Sequence, residues 1–168
     1  MNTEKYFIGI DPGVAGGIVC LDDTGAIDEK LVMPIIKIGK RNRLNGKVIT
    51  KWFKSVSTEK NIRMIALEEQ RPMHKAGEVA TFGMGRGFGM LEGILIGLDL
   101  PYEIIRPIDW QKEMFKGKPK GNTKVYSKEI AQQLFPKEDF KKSDRCTNLH
   151  DGLTDATLIC EYIRRKIK

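Results

Sequence analysis

The first third of the chain consists of three apolar or alternating runs joined by turns too short to do anything but reverse direction. Tyr6 to Asp11, Gly17 to Leu21 and Ile27 to Met33 are separated by Pro12-Gly13, Gly16-Gly17 and Asp22-Asp23-Thr24-Gly25. Parallel neighbours need a crossover of about a dozen residues or more, so these links dictate antiparallel pairing. A fourth run, Ile62 to Leu67, is continuously apolar and suits a strand covered on both faces. A fifth, Tyr102 to Arg106, stops at Pro107.

Helical patterns fill the intervals. Val48, Trp52 and Val56 recur at spacing four, and Glu78 to Leu98 is apolar at helical spacing. Pro107 suits the first position of a short helix through Phe115. Asn122 or Thr123 can cap a helix that runs to Leu134 and halts before Pro136, and a last helix spans about His150 to Ile167. Lys37 to Gly46, Lys116 to Gly121 and Lys137 to Asn148 read as loops by composition. Three antiparallel strands followed by alternating helix and strand predict an α/β fold, a five-stranded mixed sheet with helices on both faces. With 168 residues, 40% of them apolar, the chain can bury a core as one domain over residues 1–168.

One helix carries an unusual stripe. Gly85, Gly89, Gly93 and Gly97 repeat every four residues and so share a face. Each interior glycine costs about 1 kcal/mol against alanine, which close approach of another backbone can offset. The sheet is the expected neighbour; a second copy of the chain is the alternative. A membrane role is excluded for this segment by Arg86 and Glu92.

Acids stand where the buried elements end. Asp11 closes the first strand, Glu68 and Glu69 close the fourth, and Asp151 and Asp155 sit four apart at the start of the last helix, on one side of it. Carboxylates at the ends of core elements suffer desolvation and mutual repulsion unless a cation gathers them, and hard oxygen donors point to a divalent ion such as Mg²⁺. Two such ions about 4 Å apart can stabilise both the attacking and the leaving oxygen of a phosphodiester displacement. Asp11, Glu68, Asp151 and Asp155 are therefore the candidate catalytic and metal-ligating residues. Neighbours on a strand point to opposite faces, so only one of Glu68 and Glu69 can enter the site, and Glu68 is the choice.

The remaining charge is basic. Against 22 acids stand 29 lysines and arginines, a net charge of +7. Lys37, Lys40, Arg41, Arg43, Lys47, Lys51, Lys54 and Lys60 face Glu59 alone in their stretch. Lys112 to Lys128 holds six lysines and one acid, and Arg164, Arg165, Lys166 and Lys168 close the chain. Such patches suit phosphate contacts, so a nucleic acid is the expected partner. Cys20, Cys146 and Cys160 are too few for a disulfide framework and suggest a reducing compartment. Cys146 and His150 lack a second pair of ligands, which argues against zinc. No segment reads as a signal peptide or a membrane span, so a cytoplasmic protein is expected.

Phe7-Ile8-Gly9-Ile10-Asp11-Pro12-Gly13, Ile65-Ala66-Leu67-Glu68 and His150-Asp151-Gly152-Leu153-Thr154-Asp155-Ala156 together resemble the RuvC-type Holliday junction resolvases over nearly the whole chain. The spacing of Asp151 and Asp155 looks more like the phage-encoded branch, since bacterial members usually place these acids three apart. The resemblance implies a ribonuclease H-like fold and a homodimer that cuts four-way DNA junctions with Mg²⁺ or Mn²⁺, two ions per site, in a bacterial or phage-infected cytoplasm. It also implies that Lys112 and Lys124 contact phosphate; Lys118, Lys120, Arg41 and Arg43 extend that DNA-binding set. His150 is an auxiliary candidate, as a water-orienting group or as a helix cap, and Glu69 is the alternative to Glu68. Gln70-Arg71-Pro72-Met73 stands where bacterial members carry an aromatic after the glutamate. Related readings are a nuclease for RNA or flaps, a non-catalytic branched-DNA-binding protein, and an actin-like ATP-binding protein.

Overall fold

The computed structural model describes residues 4–72 and 77–167; Met73 and Lys168 lie outside them. The elements follow in the order β1 (Lys5–Asp11), β2 (Gly17–Asp22), β3 (Ile27–Val32), β4 (Ile35–Ile38), β5 (Arg41–Leu44), α1 (Gly46–Glu59) and β6 (Asn61–Glu68). After these come α2 (Glu78–Gly97), β7 (Tyr102–Ile105), α3 (Pro107–Met114), α4 (Thr123–Leu134) and α5 (Asp151–Ile167). Five strands form the expected mixed sheet in the order β3-β2-β1-β6-β7. The meander pairs antiparallel, with Asp11 opposite Gly17, while β6 runs parallel to both β1 and β7. Because β1 and β6 are parallel and Ile10 pairs with Leu67, their carboxyl ends reach the same edge of the sheet. In open sheets that edge is where ligands collect.

The period of two along each strand divides the core. Tyr6, Ile8, Ile10, Ile18, Ile65 and Leu67 face α1 and α2, whose Ile49, Phe53, Leu91 and Leu95 are buried. On the other face Phe7, Val19, Leu21 and Ala66 meet α3, α4 and α5 through Trp110, Ile130, Ala156 and Ile159. By the same alternation Asp11 and Glu68 project to the side occupied by α5.

Local chemistry explains the helix bounds. Asn45 and Asn122 accept hydrogen bonds from the amides of Val48 and Val125, capping α1 and α4, and Pro107 opens α3. The final helix begins at Asp151, with His150 as its cap: Nδ1 accepts from the Leu153 amide at 3.2 Å.

Two expectations need correction. Lys37 to Gly46 is not a loop: β4 and β5 form a separate antiparallel hairpin, turning at Gly39-Lys40, with Ile38 opposite Arg41. The glycine stripe of α2 does not pack on the sheet either. At Gly85, Gly89, Gly93 and Gly97 an added Cβ would meet nothing within 4 Å, because Leu91 and Leu95 on the opposite face take the sheet contact.

Candidate active site

The acids are brought together by main-chain contact between β1 and α5. A Cβ on Gly9 would lie 2.2 Å from the carbonyl oxygen of Ala156 and 2.4 Å from the amide nitrogen of Cys160. One on Gly152 would lie 2.3 Å from the carbonyl oxygen of Ala15. No side chain fits at either position, and that lets α5 lie directly on β1 and on the turn after it. Cys160 adds a hydrogen bond, its Sγ donating to the Phe7 carbonyl at 3.1 Å. Asp11, two residues beyond Gly9, thereby faces Asp155, the neighbour of Ala156. Glu68 arrives from the adjacent parallel strand.

Their protonation equilibria report the crowding. Burial raises the pKa of Asp11 above its ordinary value, and the charge of Asp151 adds to the rise. Burial pushes Glu68 up to about 7, with Asp11 and Asp155 contributing by repulsion against the lowering effect of a hydrogen bond from Trp110. Asp155 is pushed up to about 6, again chiefly by burial, with Asp11 and Asp151 adding and a hydrogen bond from Ser127 opposing. Three carboxyls from three chain segments thus share one electrostatic neighbourhood.

Asp151 differs. Lys128 lies 2.6 Å and Lys124 3.5 Å from its two oxygens, and the hydrogen bond from Lys128 holds its pKa below the usual carboxylate range. It is coupled to Asp11 and Asp155 by charge, but its carboxylate is tied to α4. Glu69 leaves the group altogether: Arg71 donates to it from Nε at 2.8 Å. His150 has its pKa lowered first by burial and then by Lys142, consistent with a neutral ring accepting at Nδ1 as the helix cap.

Each acid also has a local donor. The Gly13 amide donates to Asp11 Oδ1 at 3.3 Å, and Trp110 Nε1 donates to Glu68 Oε1 at 2.8 Å. Among the described residues no group of three or more His, Cys, Asp or Glu side chains stands in a ready metal-holding arrangement. With two oxygens per carboxylate, each local hydrogen bond leaves acceptor capacity over.

Solved structures of the same shape exist. The RuvC of Thermus thermophilus in complex with a Holliday junction substrate superposes with a TM-score of 0.60 at 15% identity, over 96% of each chain. Another Thermus thermophilus RuvC structure gives 0.52 at 16% identity, also over 96% of each chain. The chain has the RuvC fold. No protein-family model and no curated protein sequence matches it.

Within this RuvC fold the predicted phosphate-binding residues lie on several separate elements, and of them Lys124 pairs with a site acid. Lys124 is exposed beside Asp151, and Lys112 is exposed in the last turn of α3. Lys118 is paired with Glu129 at 2.7 Å, and Lys120 is exposed in the following loop. Arg41 and Arg43 belong to β5, in the hairpin. Trp110, Ser127 and Lys128 were not among the expected site residues. A buried tryptophan needs an acceptor for its indole N–H, which is the one sequence-level signal that could have linked Trp110 to an acid. Ser127 and Lys128 carry no such signal, since only the packing of α4 on α5 brings them to Asp155 and Asp151. No described helix is long and apolar enough to cross a membrane.

Proposed function

We propose that this chain is a divalent-metal-dependent endonuclease that resolves four-way DNA junctions and related branched DNA, acting as a homodimer in a bacterial or phage-infected cytoplasm. The observation that carries this reading is the meeting of Asp11, Glu68 and Asp155 at the carboxyl ends of β1 and β6 and the start of α5, where Asp11 and Asp155 raise the proton affinity of Glu68 and Asp11 raises that of Asp155. Gathering three half-buried acids together is costly, and packing alone gives no reason for it.

The donor set fits Mg²⁺ or Mn²⁺. It consists of hard carboxylate oxygens, with no thiolate or imidazole among them. Asp11, Glu68 and Asp155 would hold the metal, and Asp151 would join them if parted from Lys128; four acids suit two ions. Such ions, when bound, supply Lewis-acid stabilisation of the charge that builds on the phosphodiester oxygens.

The chain's own groups prepare the site. The Trp110 indole fixes the carboxyl of Glu68, the Gly13 amide that of Asp11, and the Ser127 hydroxyl that of Asp155. Glu68, with its pKa near neutrality, keeps or releases a proton according to the charge around it. Lys124 with Lys112, Lys118 and Lys120, and Arg41 with Arg43 from the hairpin, would take phosphates of the DNA. The open second half of α2, where Gly93 and Gly97 flank Ile96, 61% exposed, supports the dimer.

The deciding experiment incubates labelled four-way junction, flap and structured RNA with wild type and Asp11→Asn, with and without Mg²⁺. Cutting of the junction by wild type alone, and only with metal, is expected. Equal cutting by the two proteins would overturn the assignment. Preference for the flap or RNA would redirect it, and junction binding without any cutting would leave a DNA-binding protein.

A further inference from the structure

A groove of about 720 Å³ lies between the β4–β5 hairpin and the first half of α2, and Pro12, Gly13 and Val14, the residues directly after Asp11, are part of its lining. Its lining is mainly apolar. Phe82, 71% exposed, stands on one wall with Val79, both projecting from α2. Arg41 and Arg43 from β5 and Arg86 from α2 supply its charge, and no acid lines it among the described residues. None of these arginines forms an ion pair with a described residue.

We propose that this groove receives an unstacked nucleotide of the substrate strand, its base against Phe82 and its phosphates against Arg41, Arg43 and Arg86. Three features favour this occupant. The volume lies in the range of small-ligand sites, roughly 300–1,000 Å³, and exceeds what a single apolar side chain needs. An exposed aromatic ring beside unpaired guanidinium groups matches a flat base flanked by anionic phosphates, because every base has a face to stack and guanidinium binds phosphate in a planar fork. Continuity with the Pro12-Gly13-Val14 turn places the groove next to the strand whose phosphate would reach Asp11. A second copy docking the same face would bring three more arginines against these three. This reading rests on the proposed nuclease function for the identity of the strand, but not for its test.

The test is equilibrium binding in EDTA, so that no strand is cut. The probes are a duplex carrying one extrahelical 2-aminopurine and the same duplex fully paired, each offered to wild type, Phe82→Ala, Phe82→Trp and the Arg41→Gln/Arg43→Gln double variant. Wild type should bind the bulged duplex at least about tenfold more tightly and quench its emission. Phe82→Ala should lose roughly tenfold on the bulged duplex alone, and Phe82→Trp should keep it. The arginine variant should weaken both probes and lower the salt slope by about two. No preference by wild type, or unchanged binding by Phe82→Ala, overturns the proposal. A change in sedimentation without a change in DNA binding also overturns it and makes the groove a protein-docking face. Bulge preference without junction cutting would sink the nuclease reading and leave the groove standing; junction cutting with Phe82→Ala unaltered would do the reverse.

Discussion

Replacing Glu68 by Gln should make the metal-free protein more stable at pH 8, although it removes a proposed catalytic group. Glu68 has a pKa of about 7 in the folded chain against an ordinary 4.5. A carboxyl raised on folding stabilises the native state below its unfolded pKa, and that contribution disappears as pH climbs through the folded value. At pH 8 the ionised side chain therefore costs about 3 kcal/mol, taking 1.36 kcal/mol per unit, with residual solvation making this a ceiling. Glutamine keeps an oxygen for the Trp110 indole, which donates at 2.8 Å, and carries no charge against Asp11 and Asp155. Thermal and urea unfolding in EDTA should give the variant an advantage of up to about 3 kcal/mol at pH 8, or roughly 6–12 °C in Tm. At pH 5 the gap should shrink to about 1 kcal/mol or less. Added Mg²⁺ should raise the Tm of wild type more than that of the variant. A variant no more stable than wild type at pH 8, or a gap that ignores pH, would refute the idea that these acids are held together against their charge.

Gly9→Ala should destabilise the fold by several kcal/mol, on the order of the larger core defects, because its Cβ would meet the backbone of Ala156 and Cys160; failure to express as a cooperatively folding protein, or a large drop in urea midpoint, is the readout. Trp110→Phe should raise the pKa of Glu68 further by removing the donor that lowers it, as followed by carboxyl NMR, and cost about 1–3 kcal/mol from the lost hydrogen bond and packing. Junction affinity should fall by about 10³ or more between 50 and 200 mM salt if six or more phosphates are contacted, measured by anisotropy. An affinity indifferent to salt would remove the basic stretches from the binding surface.

The parts of the fold that were legible in the sequence are those dictated by neighbours in the chain. Short turns forced β1, β2 and β3 into a meander, and Pro107 and Asn122 marked helix starts through a φ restriction and a hydrogen bond only a few residues long. The β4–β5 hairpin was hidden because Ile35, Ile36 and Ile38 are exposed, so its apolar residues follow no core-facing alternation. The glycine stripe misled for a related reason: periodicity identifies a face but not what lies against it. In the site, Asp11 and Glu68 could be singled out because each terminates an apolar run, and Asp155 because it stands on one side of the start of the last helix. Asp151 shared that pattern, yet its pairing with Lys124 and Lys128 depends on how α4 docks on α5, which no local spacing encodes.

The bare contact of Gly9 with the helix backbone has a wider consequence. Side chains can be exchanged, lengthened or rotated, whereas main-chain atoms in touch leave nothing to adjust. The gap between the acids borne by strand and helix is therefore set like the jaws of a fixed spanner. Surrounding residues can drift without altering it, so one reactive geometry can outlast almost all of the wording that surrounds it.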